Sequence, residues 1–143
     1  MLCWWAYQPT STNRLQSVLN AAARSIAGLR RYDHITDTLA SFHWLKVPER
    51  IQFKLATAPR YLAADLRRLS DMPSRRRLRS PLTDQLDVRQ SQCSTVGDRA
   101  FAVAGARLWN SLPHDILASD TLSHFRCGLK TFLFRQSYPS ILF

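Results

Sequence analysis

The stretch from Ser94 to Pro113 most constrains the fold, because it joins a turn signal to a long segment of small apolar residues. Gly97 and Asp98 are typical of a turn or a helix start, and Asp98 is a candidate N-cap. Trp109 adds a large apolar anchor, and Pro113 ends the segment. The apolar face of the helix predicted here consists of Ala100, Val103, Ala104 and Leu108. We therefore expect a packed helix in this stretch.

A long helix is predicted near the N-terminus, after turn and capping residues at 9–13. Its apolar side chains recur at helical spacing, and Gly28 is placed to end it. The face expected to be buried consists of Leu15, Val18, Leu19, Ala22 and Ile26.

Three further helices are predicted between residues 33 and 69. Asp33 is a candidate cap for the first, Pro48 suits the first position of the second, and Pro59 can begin the third. Their apolar positions are Ile35, Leu39 and Phe42, then Ile51 and Leu55, and finally Tyr61, Leu62, Leu66 and Leu69.

A final helix is predicted after a linker at residues 115–119, with Asp120 or Thr121 as its cap. Its apolar face is expected to form core, with a partner-docking surface as the alternative. The tail from Tyr138 is expected to be frayed. The apolar face consists of Leu122, Phe125, Leu129, Phe132 and Leu133.

Together these patterns predict a mainly α-helical domain of five or six helices. Weak alternation of apolar residues also allows a short β-hairpin near residues 86–97. The predicted organisation is an irregular N-terminal end at 1–13, a helical segment at 14–135 and a frayed tail at 136–143.

The composition indicates a basic globular protein. Hydrophobic residues make up 45% of the 143, and the net charge is +10. Seventeen of the 20 basic residues are arginine. Arginine binds phosphate through paired hydrogen bonds and stacks on bases, so a nucleic-acid partner is favoured. Arginines that are simply solvated are the alternative.

Cysteine usage and hydropathy bear on the compartment. Cys3, Cys93 and Cys127 are odd in number and widely spaced, which gives no disulfide framework and favours an intracellular protein, nuclear or cytoplasmic. No apolar run approaches the roughly 20 residues of a membrane span. The first residues lack the basic region of a signal peptide. We expect no membrane association.

The densest charge run is the best candidate site. It contains four arginines in five residues and has no apolar period, so it is predicted to be an exposed loop that follows a phosphate backbone. A nuclear-localisation signal and a solvated loop without a role are the alternatives. The candidate nucleic-acid-binding residues are Arg75, Arg76, Arg77 and Arg79 in the run and Arg67 and Arg68 just upstream.

Other chemistry is weakly supported. His124 and Cys127 have i, i+3 spacing, but zinc needs further ligands and no second close pair exists. The sequence has no Gly-rich phosphate loop and no nucleophile elbow. Trp44 and Trp109 are expected in the core. Arg99 and Arg107 are expected either to pair with Asp98 or Asp115 or to reach nucleic acid. We expect no catalytic residue, metal or cofactor.

The central stretch, STVGDRAFAVAGARLWNSLP, carries a resemblance. It resembles the STVGDRAFxVAGPRLWNSLP block near the C-terminus of reverse transcriptases from LINE-type (non-LTR, jockey-like) retrotransposons, with Ala106 where that family usually has proline. LQSVLNAAAR, YDHIT, HWL, ERIQFKL and YLAADL precede it in the order seen in the family. The resemblance covers about residues 14–135, with an apparent deletion near 56–59.

The resemblance implies a segment downstream of the polymerase palm that helps to hold template RNA or target DNA. The family's catalytic aspartates include an adjacent pair that holds metal ions. This chain has no Asp-Asp dipeptide, so we expect no polymerase activity from it alone. The implied partners are an RNA or DNA backbone and the upstream polymerase core. A translated relic without a role, or a helical module that binds protein through its last helix, are the alternatives.

Overall fold

The structure is a computed structural model that describes residues 9–72, 85–90 and 97–141. In those ranges the chain forms α-helices and no β-strand, which confirms the mainly helical prediction. The described ranges contain seven α-helices, one more than the five or six predicted, because two short helices of a single turn are also present. The helices are α1 (Pro9–Ala27), α2 (Thr36–Ser41), α3 (Val47–Ala56), α4 (Arg60–Ala63), α5 (Phe101–Ser111), α6 (His114–Leu117) and α7 (Leu122–Ser137).

The chain divides into two compact units. Unit 1 comprises residues 1–53 and 119–143, and unit 2 comprises residues 54–118. Unit 1 is therefore built from two separate stretches of sequence, whereas unit 2 is continuous. No helix in the described ranges is both long enough and apolar enough to cross a bilayer.

The core of unit 1 forms where α1, α2 and the C-terminal residues meet. Its buried members are Ala23, Leu39, Ala40 and Tyr138, and half-buried Trp44 packs against them. α7 adds an apolar face that agrees with the predicted one, because Phe125, Leu129 and Leu133 are buried. That face is core, as expected, although Leu122 at its start remains exposed.

α1 buries a different face from the predicted one. Ala23 is 0% exposed and Leu19 packs beside it, whereas Leu15, Val18 and Ile26 keep 53%, 67% and 64% of their surface exposed. The predicted core stripe was therefore wrong except at Leu19. Contacts with α2 decide which side of α1 is covered, and the pattern within α1 does not record them. The helix also begins at Pro9, so residues 9–13 are helical rather than a turn.

The C-terminal residues through Ile141 are packed, which contradicts the predicted frayed tail. Tyr138 is 2% exposed, and its hydroxyl donates a 2.6 Å hydrogen bond to the carbonyl oxygen of Trp44. The Phe134 ring lies 4.9 Å from the Tyr138 ring, and the Lys46 Nζ lies 5.1 Å from the same ring centroid. Aromatic and cation–π contacts of this kind favour burial of the ring. Tyr138 is thus a core residue that the sequence pattern missed.

His43 turns the chain between α2 and α3. Its φ of 53° is the left-handed conformation that non-glycine residues seldom adopt. The backbone amides of His43 and Trp44 donate 2.9 Å hydrogen bonds to Ala40 and Leu39, which closes the end of α2. The turn brings Trp44 to the position where its carbonyl meets Tyr138.

One of the predicted helix caps in unit 1 is present and one is not. The Thr121 hydroxyl accepts a 3.2 Å hydrogen bond from the His124 amide, which confirms the capping of α7. Asp33 caps no helix, because α2 begins after Ile35. Its carboxylate instead accepts a 2.7 Å hydrogen bond from the Arg30 amide within the preceding turn.

Replacement of two glycines by alanine is expected to change the free energy of unfolding in opposite directions. Gly28 follows α1 with φ +66°, where a side chain is strained, whereas Gly128 lies within α7; a Cβ at either position has no neighbour within 4 Å. Gly28→Ala is expected to lower the free energy of unfolding by about 1 kcal/mol. Gly128→Ala is expected to raise it by up to about 1 kcal/mol. Urea unfolding of both variants checks this, and a gain from Gly28→Ala would contradict the strain argument.

In unit 2 the core is centred on α5. Val103 and Ala104 are buried as predicted, but Ala100 is exposed and precedes the helix, and Leu108 is half-buried. Ala106, where the resembled family has proline, is 0% exposed. The remaining buried apolar residues of this unit are Leu86, Leu112 and Ile116.

The helices that flank α5 differ from the predicted ones. α4 is a single turn, so Leu66 and Leu69 lie beyond its end rather than on its face. The Leu69 amide bonds to the carbonyl of Gln85 instead of continuing a helix. α6 forms within residues predicted to be a linker. α3 ends at Ala56, where the apparent deletion relative to the resembled family begins.

Candidate nucleic-acid interface

The candidate arginines fall into two groups. Arg67 and Arg68 are described and both are exposed. The run of Arg75, Arg76, Arg77 and Arg79 lies outside the described residues. The site is therefore described through the residues that precede and follow 73–84.

An antiparallel contact joins the two sides of this segment. Arg68 pairs with Leu86 in an isolated bridge. The Leu69 amide donates a 2.9 Å hydrogen bond to Gln85, and the Asp87 amide donates a 2.8 Å hydrogen bond to Arg67. Residues 67–69 and 85–87 thus pair with each other, and residues 73–84 lie between them in the sequence. We call residues 67–69 and 85–87 the loop base.

This pairing replaces the predicted hairpin near residues 86–97. Residues 86–90 form no strand, and Leu86 pairs backwards with Arg68 rather than forwards along the chain. The remaining hairpin residues, 91–96, lie outside the described ranges. Backbone groups near Leu86 are instead satisfied by the loop base and by a side chain of α5.

That side chain is Asn110, which fixes the loop base to the core of unit 2. The Leu86 amide donates to the Asn110 Oδ1 at 2.9 Å, and the Asn110 Nδ2 donates to the Leu86 carbonyl at 2.9 Å. A primary amide can satisfy the donor and the acceptor of one backbone residue at once. Sequence reasoning missed this role, because nothing in the pattern pairs an asparagine with a backbone residue 24 positions away.

Replacement of Asn110 tests the attachment of the loop base. Asn110→Ala leaves the amide and carbonyl of buried Leu86 without these partners, so the free energy of unfolding should fall by about 1–3 kcal/mol. Asn110→Asp keeps an acceptor but loses the donor and should also destabilise. Ser111→Ala, on the exposed side of α5, is the control. Guanidinium unfolding that placed Asn110→Ala level with the control would contradict the assignment.

Arg107 takes the ion-pair alternative that the sequence left open. Its guanidinium lies 3.4 Å from the Asp98 carboxylate, with side-chain exposures of 31% and 22%. Asp98 therefore does not cap α5, contrary to prediction; the helix begins after Ala100, and residues 97–99 form a 3₁₀ turn. Arg99 is exposed.

The charge of unit 2 is strongly basic. Its sequence holds eleven basic and six acidic residues, and four of the basic residues lie between positions 75 and 79. Arg67, Arg68 and Arg89 are exposed on or next to the loop base, although exposed Asp71 is also close in sequence. Exposed guanidinium groups of this kind can contact phosphate oxygens without reading bases.

The remaining candidates do not assemble into a chemical site. Within the described ranges, no three His, Cys, Asp or Glu side chains are grouped to hold a metal ion. His124 and Cys127 are both exposed on α7. Trp44 and Trp109 are half-buried, and Trp44 packs against the unit 1 core as predicted.

Comparison with known proteins adds no relative. No protein-family description, curated protein or solved structure matches the chain. The resemblance to LINE-type reverse transcriptases therefore stays a prediction that depends on the quoted sequence blocks.

Proposed function

We propose that this chain is a binding segment for RNA or DNA backbones, derived from the C-terminal region of a LINE-type reverse transcriptase. Arg67, Arg68, Arg75, Arg76, Arg77 and Arg79 make the phosphate contacts. The observation that carries the proposal is the loop base. Exposed Arg67 and Arg68 belong to this base and precede the other four arginines in the sequence, which supports a shared basic surface.

The attachment of the loop base supports a binding role. Asn110 ties Leu86 to α5, so Arg67 and Arg68 stand on backbone that is held to a packed helix. Pre-positioned charges lose less conformational freedom on binding than charges on an unrestrained chain. Contacts to phosphate alone give sequence-tolerant binding.

The proposed role is binding rather than catalysis. The sequence has no Asp-Asp pair of the kind that the resembled polymerases use for metal-dependent chemistry. In an intact family protein the polymerase core would supply that chemistry, and this segment would help to hold the template or target. The polymerase core is accordingly the second proposed partner.

A salt series tests the proposal. Fluorescence anisotropy with a labelled RNA hairpin and a labelled DNA duplex should show saturable binding that weakens steeply between about 50 and 200 mM salt. Six phosphate contacts correspond to a log–log slope near about −5 on duplex DNA. Absence of saturable binding at low salt by a monodisperse sample would contradict the proposal.

A pair of double variants locates the contact. Arg67→Ala with Arg68→Ala should reduce the slope by about 1–2, because each lost phosphate contact removes about 0.9 from it. Arg30→Ala with Arg31→Ala removes the same charge from another adjacent, exposed pair in unit 1 and is the matched control. Equal losses from the two double variants would indicate diffuse charge rather than a site at the loop base.

A helical protein-interaction module is the second candidate function. The exposed apolar side chains of α1 favour it. The apolar face of α7, which the sequence offered for this role, is buried in unit 1.

A further inference from the structure

α1 carries an apolar stripe that its own unit does not cover. The stripe consists of Leu15, Val18, Ala22 and Ile26, and all four residues are exposed. Their spacing of i, i+3, i+7 and i+11 aligns them along one side of three helical turns, a length of about 16 Å. We call these four residues the α1 stripe.

The α1 stripe is more than scattered surface hydrophobicity. Single exposed apolar residues are common on proteins, but a contiguous row of them, three of the four large here, marks a contact surface. Val18 and Ile26 keep about two thirds of their surface exposed, at 67% and 64%. Leu19 and Ala23, on the side of α1 next to the stripe, pack into the unit 1 core, whereas all four residues of the stripe stay exposed.

The shape of the α1 stripe fits one helix. It is narrow and straight, and its spacing is the one with which helices meet along a seam. Ala21 and Ala22 are exposed beside and within the stripe, and such small side chains let a partner backbone approach closely. The stripe has no aromatic residue, which an interfacial membrane helix commonly uses as an anchor.

The charges around the α1 stripe indicate the character of the partner. α1 contains no acidic residue, its Arg14 is exposed, and exposed Arg30 and Arg31 follow the helix. Arg14 lies one turn before Val18 and is exposed. A partner with acidic flanks gains attraction at this surface, whereas a second copy of a chain with net charge +10 meets repulsion.

We propose that the α1 stripe docks an amphipathic helix of a partner protein whose apolar seam is flanked by acidic residues. The apolar residues supply the contact, and Arg14 sits at its basic rim. The α1 stripe shares no residue with the arginines of the loop base, so each surface can be altered without changing the other.

The test uses the full chain and two designed helical peptides. Both peptides carry the same leucine seam; one is flanked by glutamate and the other by lysine. Fluorescence anisotropy should show binding of the glutamate peptide and at least about 10-fold weaker binding of the lysine peptide. Equal affinity for the two, or no saturable binding of the glutamate peptide at about 0.1 mM, would overturn the proposal.

Variants then place the peptide on α1. Val18→Gln should weaken glutamate-peptide binding at least about 10-fold, as expected for a central contact. Ser17→Gln, also exposed but away from the α1 stripe, should change it less than about 2-fold. Circular dichroism confirms that both variants keep the helical content of the parent chain. Equal effects of the two substitutions on the affinity for the glutamate peptide would overturn its placement on the α1 stripe.

Two further measurements separate other occupants. Sedimentation of vesicles that contain phosphatidylserine tests a membrane surface, and analytical ultracentrifugation tests a second copy. Vesicle binding or dimerisation that Val18→Gln abolishes would reassign the α1 stripe and overturn the proposal. Failure of this test leaves the nucleic-acid salt series unaffected, because Val18→Gln keeps every arginine.

Discussion

Alanine at Arg75, Arg76, Arg77 and Arg79 is expected to weaken binding to RNA and DNA by about 10²–10³-fold near 0.1 M salt. Each lost phosphate contact removes about 0.9 from the log–log salt slope on duplex DNA, so the fourfold variant loses up to about 3.6. The loss should be similar for unrelated sequences, because contacts to phosphate do not read bases. Anisotropy titrations over the same salt range measure both quantities.

The matched control has the same net charge as the fourfold variant. Alanine at four exposed arginines of unit 1, namely Arg14, Arg30, Arg31 and Arg50, also removes four positive charges. It should reduce the salt slope by less than about 1, because these four arginines are outside the set proposed to contact phosphate. If the two fourfold variants lose the same slope, the arginine run has no special role.

Loss of the Tyr138 side chain is expected to be the largest single-residue effect on stability. Tyr138→Ala removes a ring that is 2% exposed and should lower the free energy of unfolding by about 3–5 kcal/mol. Tyr138→Phe keeps the ring but leaves the Trp44 carbonyl without its hydroxyl donor, which should cost about 1–3 kcal/mol. Guanidinium unfolding of the full chain measures both.

Tyr32 is the control for that experiment. It is 93% exposed, so Tyr32→Ala should change the free energy of unfolding by no more than about 0.5 kcal/mol. Comparable losses from Tyr32→Ala and Tyr138→Ala would contradict the packing of the C-terminal residues against α1 and α2.

The pH dependence of stability gives a second signature of Tyr138. Burial, and then the nearby Glu49 carboxylate, raises the pKa of the Tyr138 hydroxyl to about 12 from its ordinary value of 10. Between those values the unfolded chain releases this proton while the folded chain keeps it. The contribution of the protonated Tyr138 hydroxyl to the free energy of unfolding is therefore complete below pH 10 and is lost as the pH rises toward 12. Tyr138→Phe should unfold with a shallower decline over this interval.

Local signals in the sequence predicted the helices whose ends and faces depend on nearby residues. α7 follows from the Thr121 cap and from Phe125, Leu129 and Leu133 at helical spacing, all within 13 residues. The end of α1 at Gly28 is likewise a local requirement for a left-handed residue. These features hold because no distant partner is needed to produce them.

Features that depend on distant partners were not predictable. The α1 pattern favoured Leu15, Val18 and Ile26 as core, but Ala23 is buried because an alanine fits close to α2. The local sequence identifies Asn110 only as a helix residue near Pro113. Its contact with Leu86 spans 24 positions, so no local pattern indicates it. Asp33 and Asp98 are of a residue type favoured at helix caps. The Asp33 carboxylate instead accepts a hydrogen bond within a turn, and the Asp98 carboxylate forms an ion pair with Arg107.

The division of unit 1 into two stretches of sequence sets an order for folding during synthesis. The contact between Trp44 and Tyr138 spans 94 residues, so the core around α1 and α2 is complete only after Tyr138 has been synthesised. At ordinary elongation rates that delay is about 5–20 s. Unit 2 is continuous and can complete its contacts first. Between the two units, the early helices of unit 1 are thus the ones that need protection from aggregation for longer.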